Sequence, residues 1–326
     1  MFIERIQYPS MQAPIRLELP TMYGMKSVNA YLLLDPIPTL IDCGEKTDKS
    51  WKVLQQQLQQ QGLQVKDIQR LIITHAHVDH IGMAGKIAEN SDAEVWVNEY
   101  CYPWAVQKEL MWDRRIKLMS KLLPPSASFR DMVLGFMKEV SNHWDNIPKE
   151  RVRVFPMNGQ LVMGGMVWEI IYVPGHANMQ TCFYQADQKW LISADMLLRI
   201  TPTAVMDASI EDPTKRDKGI KDLLASYQKI ASLDIAKVFP GHYEIFENAH
   251  ETIEFQVARI HSRIEECFEL IQNGKQEFME ILHTMYANRI HMPAFAMLIG
   301  YLDILLEEGR IEEVKLENGK RGYAVK

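Results

Sequence analysis

Short apolar runs closed by turn residues alternate with helical spacings through the first hundred positions of the chain. NAYLLL (29–34) and PTLIDCG (38–44) are compact apolar stretches, the pattern of strands buried in a covered sheet. DKSWKVLQQQLQQQG (48–62) sets Trp51, Val53, Leu54 and Leu58 at helical spacing among polar helix formers and closes on Gly62. RLIIT (70–74) reads as a buried strand, GMAGKIAEN (82–90) as a helix and AEVWVNEY (93–100) as the next strand. This alternation is that of an α/β chain with a covered sheet.

The rhythm breaks over 101–147, a segment rich in Met, Trp, Leu and Lys with LLPPSAS at its middle. It reads as several helices, either an insertion placed over a site or an extra layer with its own small core. From 151 the strands resume with RVRVFP, MVWEIIYV (166–173), TCFYQ (181–185) and KWLISA (189–194). A helix over 216–233 follows, then AKVFPGH (236–242), a short strand running into a turn. The tail is organised differently: a long amphipathic helix over 249–273, two shorter helices near 276–287 and 293–308, and two alternating strands around Asn318-Gly319, a strong hairpin signal. The expected boundary therefore falls near 248, with a domain over 1–248 and a smaller one over 249–326.

At 326 residues, 47% apolar and 24% charged, the composition is that of a globular chain with room for a substantial core. A net charge of −6 speaks against broad binding to a phosphate backbone, which needs a basic surface. Cys43, Cys101, Cys182 and Cys267 are scattered and form no CxxC pair, so neither a disulfide framework nor a thiolate zinc site is expected. The N-terminal residues lack a basic stretch followed by an apolar one, and no apolar run reaches the roughly 18 residues of a spanning helix. These features lead to the expectation of a soluble cytoplasmic protein without membrane contact.

The candidate chemistry sits in THAHVDHIGMAG (74–85), between a buried strand and a helix. His75 and His77 are two apart and cannot share a helix face. On extended backbone, however, residues two apart point the same way, and Asp79 continues the series. His80 follows in the bend and can face the same point from the other side. Imidazoles and carboxylates are the ligands that zinc, iron and manganese take, and without a cation the cluster would crowd titratable groups for no gain in stability. Partners stand downstream at the ends of apolar strands: His176 in IIYVPGHAN, Asp195 in KWLISADML and His242 in KVFPGHYEI. Together they share the carboxyl-end rim where α/β sheets place their sites. The other histidines, His143, His250, His261, His283 and His291, lie in helix-like segments and are expected to be ordinary surface or core residues. Asp42, in LIDCG, is expected behind the cluster as a turn carboxylate bonded to backbone, with orientation of a ligand as the second reading.

The set HxHxDH, PGH, a strand-terminal Asp and a second PGH resembles the metallo-β-lactamase superfamily over 1–248, and the tail resembles the winged-helix domain of one branch of it. The resemblance implies a four-layer αββα sandwich with the 101–147 segment as helical insert. It implies a dinuclear centre in which His75, His77 and His176 bind one metal, Asp79, His80 and His242 the other, and Asp195 bridges both. Zinc is the expected ion, with iron and manganese as alternatives. A bridging hydroxide would then cleave an ester, thioester or lactone of a small molecule, with Asp79 as the catalytic carboxylate, as in the glyoxalase II-like branch. Ala194 departs from the usual Gly before the bridging aspartate, with little effect expected. The alternatives are a phosphodiesterase or endoribonuclease on the same site, a mononuclear-iron persulfide dioxygenase, and a non-enzymatic winged-helix regulator. Nucleic acid is disfavoured as a partner because PAFAMLIGYLDILLEEG (293–309) contains no Lys or Arg. That helix is expected to pack internally or against a second copy in a homodimer.

Overall fold

The fold is described from a computed structural model covering residues 12–22, 25–123, 127–200, 206–210, 212, 214–287, 292–317 and 319–326. Two β-sheets form its centre. The first contains β1 (Ile15–Pro20), β2 (Ser27–Leu33), β3 (Thr39–Ile41), β4 (Arg70–Ile72), β5 (Glu94–Asn98) and β6 (Val152–Phe155), side by side in chain order. Its first three strands are antiparallel, and β3 to β6 run parallel. The second contains β7 (Gly159–Met163), β8 (Met166–Tyr172), β9 (Thr181–Gln185), β10 (Trp190–Ala194) and β11 (Lys237–Pro240), antiparallel except for the last pair.

Alternation along the strands explains why the sheets stack. Tyr31, Leu33, Ile41, Ile72 and Phe155 of the first sheet meet Trp168, Ile170, Phe183, Ile192 and Phe239 of the second in one apolar layer. The intervening residues, among them Leu32, Leu40, Leu71 and Val95 on one side and Cys182, Leu191 and Val238 on the other, face outward into helices. Those helices include α1 (Asp48–Gln60), α2 (Val78–Ile81) and α3 (Ala84–Glu89) with the first sheet, and α7 (Gly219–Ala231) with the second. Thr47 caps α1, its hydroxyl accepting from the backbone N–H of Ser50.

The 101–147 segment supplies α4 (Tyr102–Val106), α5 (Lys108–Leu122) and α6 (Ala127–Val140). Trp104, Trp112 and Trp144 pack there with ring centroids 5.7–6.2 Å apart. The tail supplies α8 (Ala249–Gln272), α9 (Phe278–Met285), α10 (Met292–Glu307) and a hairpin of β12 (Ile311–Lys315) and β13 (Arg321–Val325). α10 is buried, with Phe295, Leu298, Tyr301, Leu302 and Leu305 all enclosed, so its lack of cations matches a helix that packs internally. Asn318 of the hairpin signal and His291 lie outside the described residues. No described helix is long and apolar enough to cross a membrane, and all four cysteines are buried free thiols.

Two strands, β1 and β7, carried no expectation. IRLELP buries Leu17 and Leu19 but carries Arg16 and Glu18 between its apolar residues and ends at a proline. GQLVM is an edge strand with exposed alternate residues and only Met163 fully buried, too weak a pattern to read locally. The helix expected over 82–90 is α3, Ala84–Glu89, and a separate short helix, α2, precedes it over Val78–Ile81.

Candidate metal centre

All seven predicted side chains arrive at one rim. His75 and His77 follow β4, Asp79 and His80 lie on α2, His176 follows β8, Asp195 follows β10 and His242 follows β11. Cross-links between the two sheets hold this rim. Thr181 of β9 donates its N–H to the Thr74 carbonyl at 3.1 Å, and the Asn98 amide reaches the Thr181 hydroxyl at 2.8 Å. On the far side, the Asn29 amide and Tyr31 hydroxyl of β2 donate to the Pro240 carbonyl at 2.9 and 2.7 Å.

The histidines are aimed from behind. The Nδ1 of His80 meets Asp42 Oδ2 at 2.7 Å, that of His242 meets the Ser27 carbonyl at 2.6 Å, and that of His75 meets the Thr74 hydroxyl at 3.0 Å. Each contact turns the Nε2 inward, the arrangement that prepares a ring nitrogen for a cation. The inward atoms then crowd. His77 Nδ1 lies 3.1 Å from His75 Nε2 and 2.8 Å from His176 Nε2. Asp195 Oδ2 lies 3.4 Å from His176 Nε2 and 3.2 Å from His242 Nε2, while its Oδ1 lies 3.3 Å from His80 Nε2. Asp79 Oδ2 is 3.3 Å from His242 Nε2. Donors bound at about 2.1 Å around a tetrahedral ion sit roughly 3.4 Å apart, so these spacings suit shared cations. Three groups can hold one: His75, His77 and His176; His75, His80 and Asp195; Asp79, His80 and His242. His80 Nε2 and Asp195 Oδ1 are also buried without a hydrogen-bond partner, a cost that a cation between them would remove.

The electrostatics divide the cluster. Burial, reinforced by neighbouring imidazoles, holds His75 and His77 well below the ordinary histidine pKa, with Arg115 contributing at His77, and burial also lowers His176. These three are neutral imidazoles, the ligand form. At His80 and His242 burial acts in the same direction, but the carboxylates of Asp195 and Asp79 outweigh it, with Asp42 also acting on His80. His242 is raised to about 10. At Asp79 burial is outweighed by His80 and His242, which hold the carboxyl at about 2.

Three expectations change. Asp79 does not continue an extended series after His77: the chain turns helical at Val78, and Asp79 reaches the site from the first turn of α2. Asp42 does more than bind backbone. It accepts from Thr74 N–H and Oγ1 but also fixes His80, and it adopts φ +57° to do so. Its position at the end of β3 was a readable signal; its partner, 38 residues away, was not. Ala194 sits at φ +44°, in the left-handed region where a Cβ costs about 1–2 kcal/mol, so the departure from glycine carries strain. The glycines of both PGH turns have steric reasons. A Cβ on Gly241 would stand 2.1 Å from Asp195 Oδ1, and one on Gly175 would stand 2.4 Å from the Leu223 backbone. Among the other histidines, His250 meets the Ala231 carbonyl on the surface, and none of the described ones joins the cluster.

The comparisons with known proteins agree with this architecture. The family model for the metallo-beta-lactamase superfamily matches residues 23–242. The "Probable metallo-hydrolase YqjP" of Bacillus subtilis is 23% identical over 300 residues, covering 91% of this chain and 93% of that protein. A metallo-beta-lactamase family protein from Thermus thermophilus superposes with a TM-score of 0.79 at 21% identity, over 96% of this chain and 98% of its own. A beta-lactamase domain protein from Burkholderia ambifaria gives 0.78 at 20% identity, over 98% and 96%. These structural likenesses extend over the tail as well as the two sheets.

Proposed function

Because the chain belongs to the metallo-beta-lactamase superfamily, whose related proteins include metallo-hydrolases, we propose that it is a hydrolase with two divalent cations, zinc foremost, acting on an ester, thioester or lactone of a small molecule. In this reading His75, His77 and His176 hold one cation, Asp79, His80 and His242 the second, and Asp195 spans both. The observation that carries it is the position of Asp195, whose oxygens lie within 3.4 Å of His176 from one set and of His80 and His242 from the other. The branch with a bridging aspartate, resembling glyoxalase II, is the one proposed.

Bound cations would supply Lewis acidity and a nucleophile from water at neutral pH. Asp79 would orient that water. It would accept a hydrogen bond from that water, fix the line of attack and accept or relay the proton released. The water oxygen bonds to the carbonyl carbon, the bond to the leaving oxygen or sulfur breaks, and the leaving group departs with the proton. The tail of three helices and a hairpin is proposed as a winged-helix module. Its buried α10 offers no cations to a phosphate backbone, which favours a small-molecule substrate.

A panel of thioesters, lactones, phosphodiesters and RNA, assayed on protein of measured metal content, tests the reading. Two ions per chain with acyl hydrolysis are expected; a single iron with no acyl hydrolysis would overturn it. Asp79→Asn should retain at least one ion and lose most turnover, on the order of a hundredfold or more, and unchanged turnover would remove Asp79 from the reaction.

A further inference from the structure

A cavity of about 240 Å³ opens between the end of β5, helices α4 and α5 of the insert, Asn178 and residues 207–210. Its position is fixed by three elements. Asn178, two residues beyond His176, donates its amide to the Ala208 carbonyl at 2.8 Å. Arg115 of α5 forks onto Asp207, Nη2 to Oδ2 at 2.6 Å, and its guanidinium lies 4.9 Å from the Trp104 ring and 5.3 Å from that of Trp112. The segment carrying Asp207 is a loop closed on itself, with Ser209 N–H bonded to the Lys215 carbonyl at 2.9 Å and Asp217 N–H to the Asp207 carbonyl at 3.0 Å. The same loop is tied to the tail through Arg216 and Asp303 of α10. Asn178 lines the cavity two residues beyond His176, so the cavity lies beside the chain segment that carries one member of the first imidazole set.

The walls state the chemistry. Tyr100, Trp104, Met111 and Ile210 present apolar and aromatic surface. Four charged groups also line the space, Arg114 and Arg115 against Glu99 and Asp207, and they cancel. Arg115 and Asp207 are buried and satisfied by each other, and the other two charges, Arg114 and Glu99, are exposed and of opposite sign, so an ion of either sign entering here meets a like charge as well as an opposite one. The volume is below the roughly 300–1,000 Å³ of a site for a whole ligand and far above the voids that close-packed interiors leave. It fits one group of a larger substrate.

We propose that this cavity is the subsite for a flat, uncharged apolar group on the acyl side of the substrate, such as an aryl-methyl group, with the Arg115–Asp207 pair and the backbone bonds of Ser209 to Lys215 and of Asp217 to Asp207 holding its walls apart. This rests on the acyl-hydrolase reading for its catalytic consequence but not for binding. In such pockets even one methylene is worth about 10–200-fold in discrimination.

The test compares 4-nitrophenyl phenylacetate with 4-nitrophenyl acetate, alongside binding of phenylacetamide and of its 4-carboxy derivative by ligand-observed NMR. The wild type should favour the phenylacetyl ester at least tenfold in kcat/KM and bind phenylacetamide at least tenfold more tightly than the carboxylated analogue. Ile210→Trp, at the exposed rim, should fill the space, reducing the ester ratio at least tenfold and abolishing phenylacetamide binding. Met111→Ala should enlarge the space and raise the ratio of naphthylacetyl to phenylacetyl ester, which keeps the proposal testable if one variant fails to fold. Hydrolysis of both esters without preference, or preferences unmoved by either variant, would overturn the subsite. Phenylacetamide binding lost in Ile210→Trp, with neither ester hydrolysed, would uphold the subsite and overturn the hydrolase reading instead. Absence of both hydrolysis and phenylacetamide binding would overturn the subsite too.

Discussion

Asp42 carries His80, and His80 has no other anchor for its Nδ1 among the described contacts. Replacing Asp42 with Asn keeps a side chain that tolerates the left-handed backbone at φ +57° but removes the charge behind the imidazole. Asp42→Asn should weaken metal binding by the Asp79–His80–His242 group about 10–100-fold while leaving the His75–His77–His176 group near its original affinity. Competition with a chelator, read as two separate affinities, checks this, and equal weakening of both would contradict it. A second residue bears on pH. Burial, then the charge of Asp207, raises Asp217 well above the ordinary 3.8. The folded chain therefore holds this proton more tightly than the unfolded chain does. The stability gained is complete below about pH 4 and is lost as pH rises through the folded value. Each tenfold difference in proton affinity between the two states is worth about 1.4 kcal/mol. Asp217→Asn, uncharged throughout, should melt higher than wild type at pH 9 and show a flatter dependence between pH 5 and 9; parallel melting curves would contradict this.

Among the elements, the strands that end at the site were legible because apolar runs closed by Asp-Cys-Gly, Thr-His or Pro-Gly are local signals. The two overlooked strands have weak local patterns, and β1 gains its identity only from pairing along β2. The helices of the insert were legible as helices but not in their role. Phe295 of α10 meets Phe129 of α6 at 6.2 Å and Phe278 of α9 at 5.0 Å, which ties insert and tail together. Phe295→Ala should cost roughly 3–5 kcal/mol of stability, measurable by chemical denaturation; a loss below about 1 kcal/mol would mean that this contact does not join them.

At the scale of the molecule, the boundary near 248 does not divide the packing. One apolar cluster runs from Leu17 of β1 to Tyr323 of β13. Polar ties cross the same line: Gln256 donates to the Leu198 carbonyl at 2.8 Å, and Lys221 meets Glu307 at 2.8 Å. Two chain regions can therefore differ in architecture and still share a core. A chain ending at 248 should expose the face of α7 and the stretch around Leu198 that the tail covers and should aggregate or lose cooperative unfolding. A monomeric, cooperatively melting fragment would instead support the boundary near 248 as a domain limit.

The sequence alone determined which residues could be ligands and on which kinds of segment they sit, because donor chemistry and strand-to-turn patterns are properties of a few adjacent positions. Only the tertiary structure decided that Asp42 stands behind His80, that Asp79 approaches from a helical turn, and that Arg115 and Asp207, 92 residues apart, wall a cavity together with Asn178. Such contacts form where separate strands and helices meet. Their existence depends on sheet order and packing, which no local period along the chain encodes.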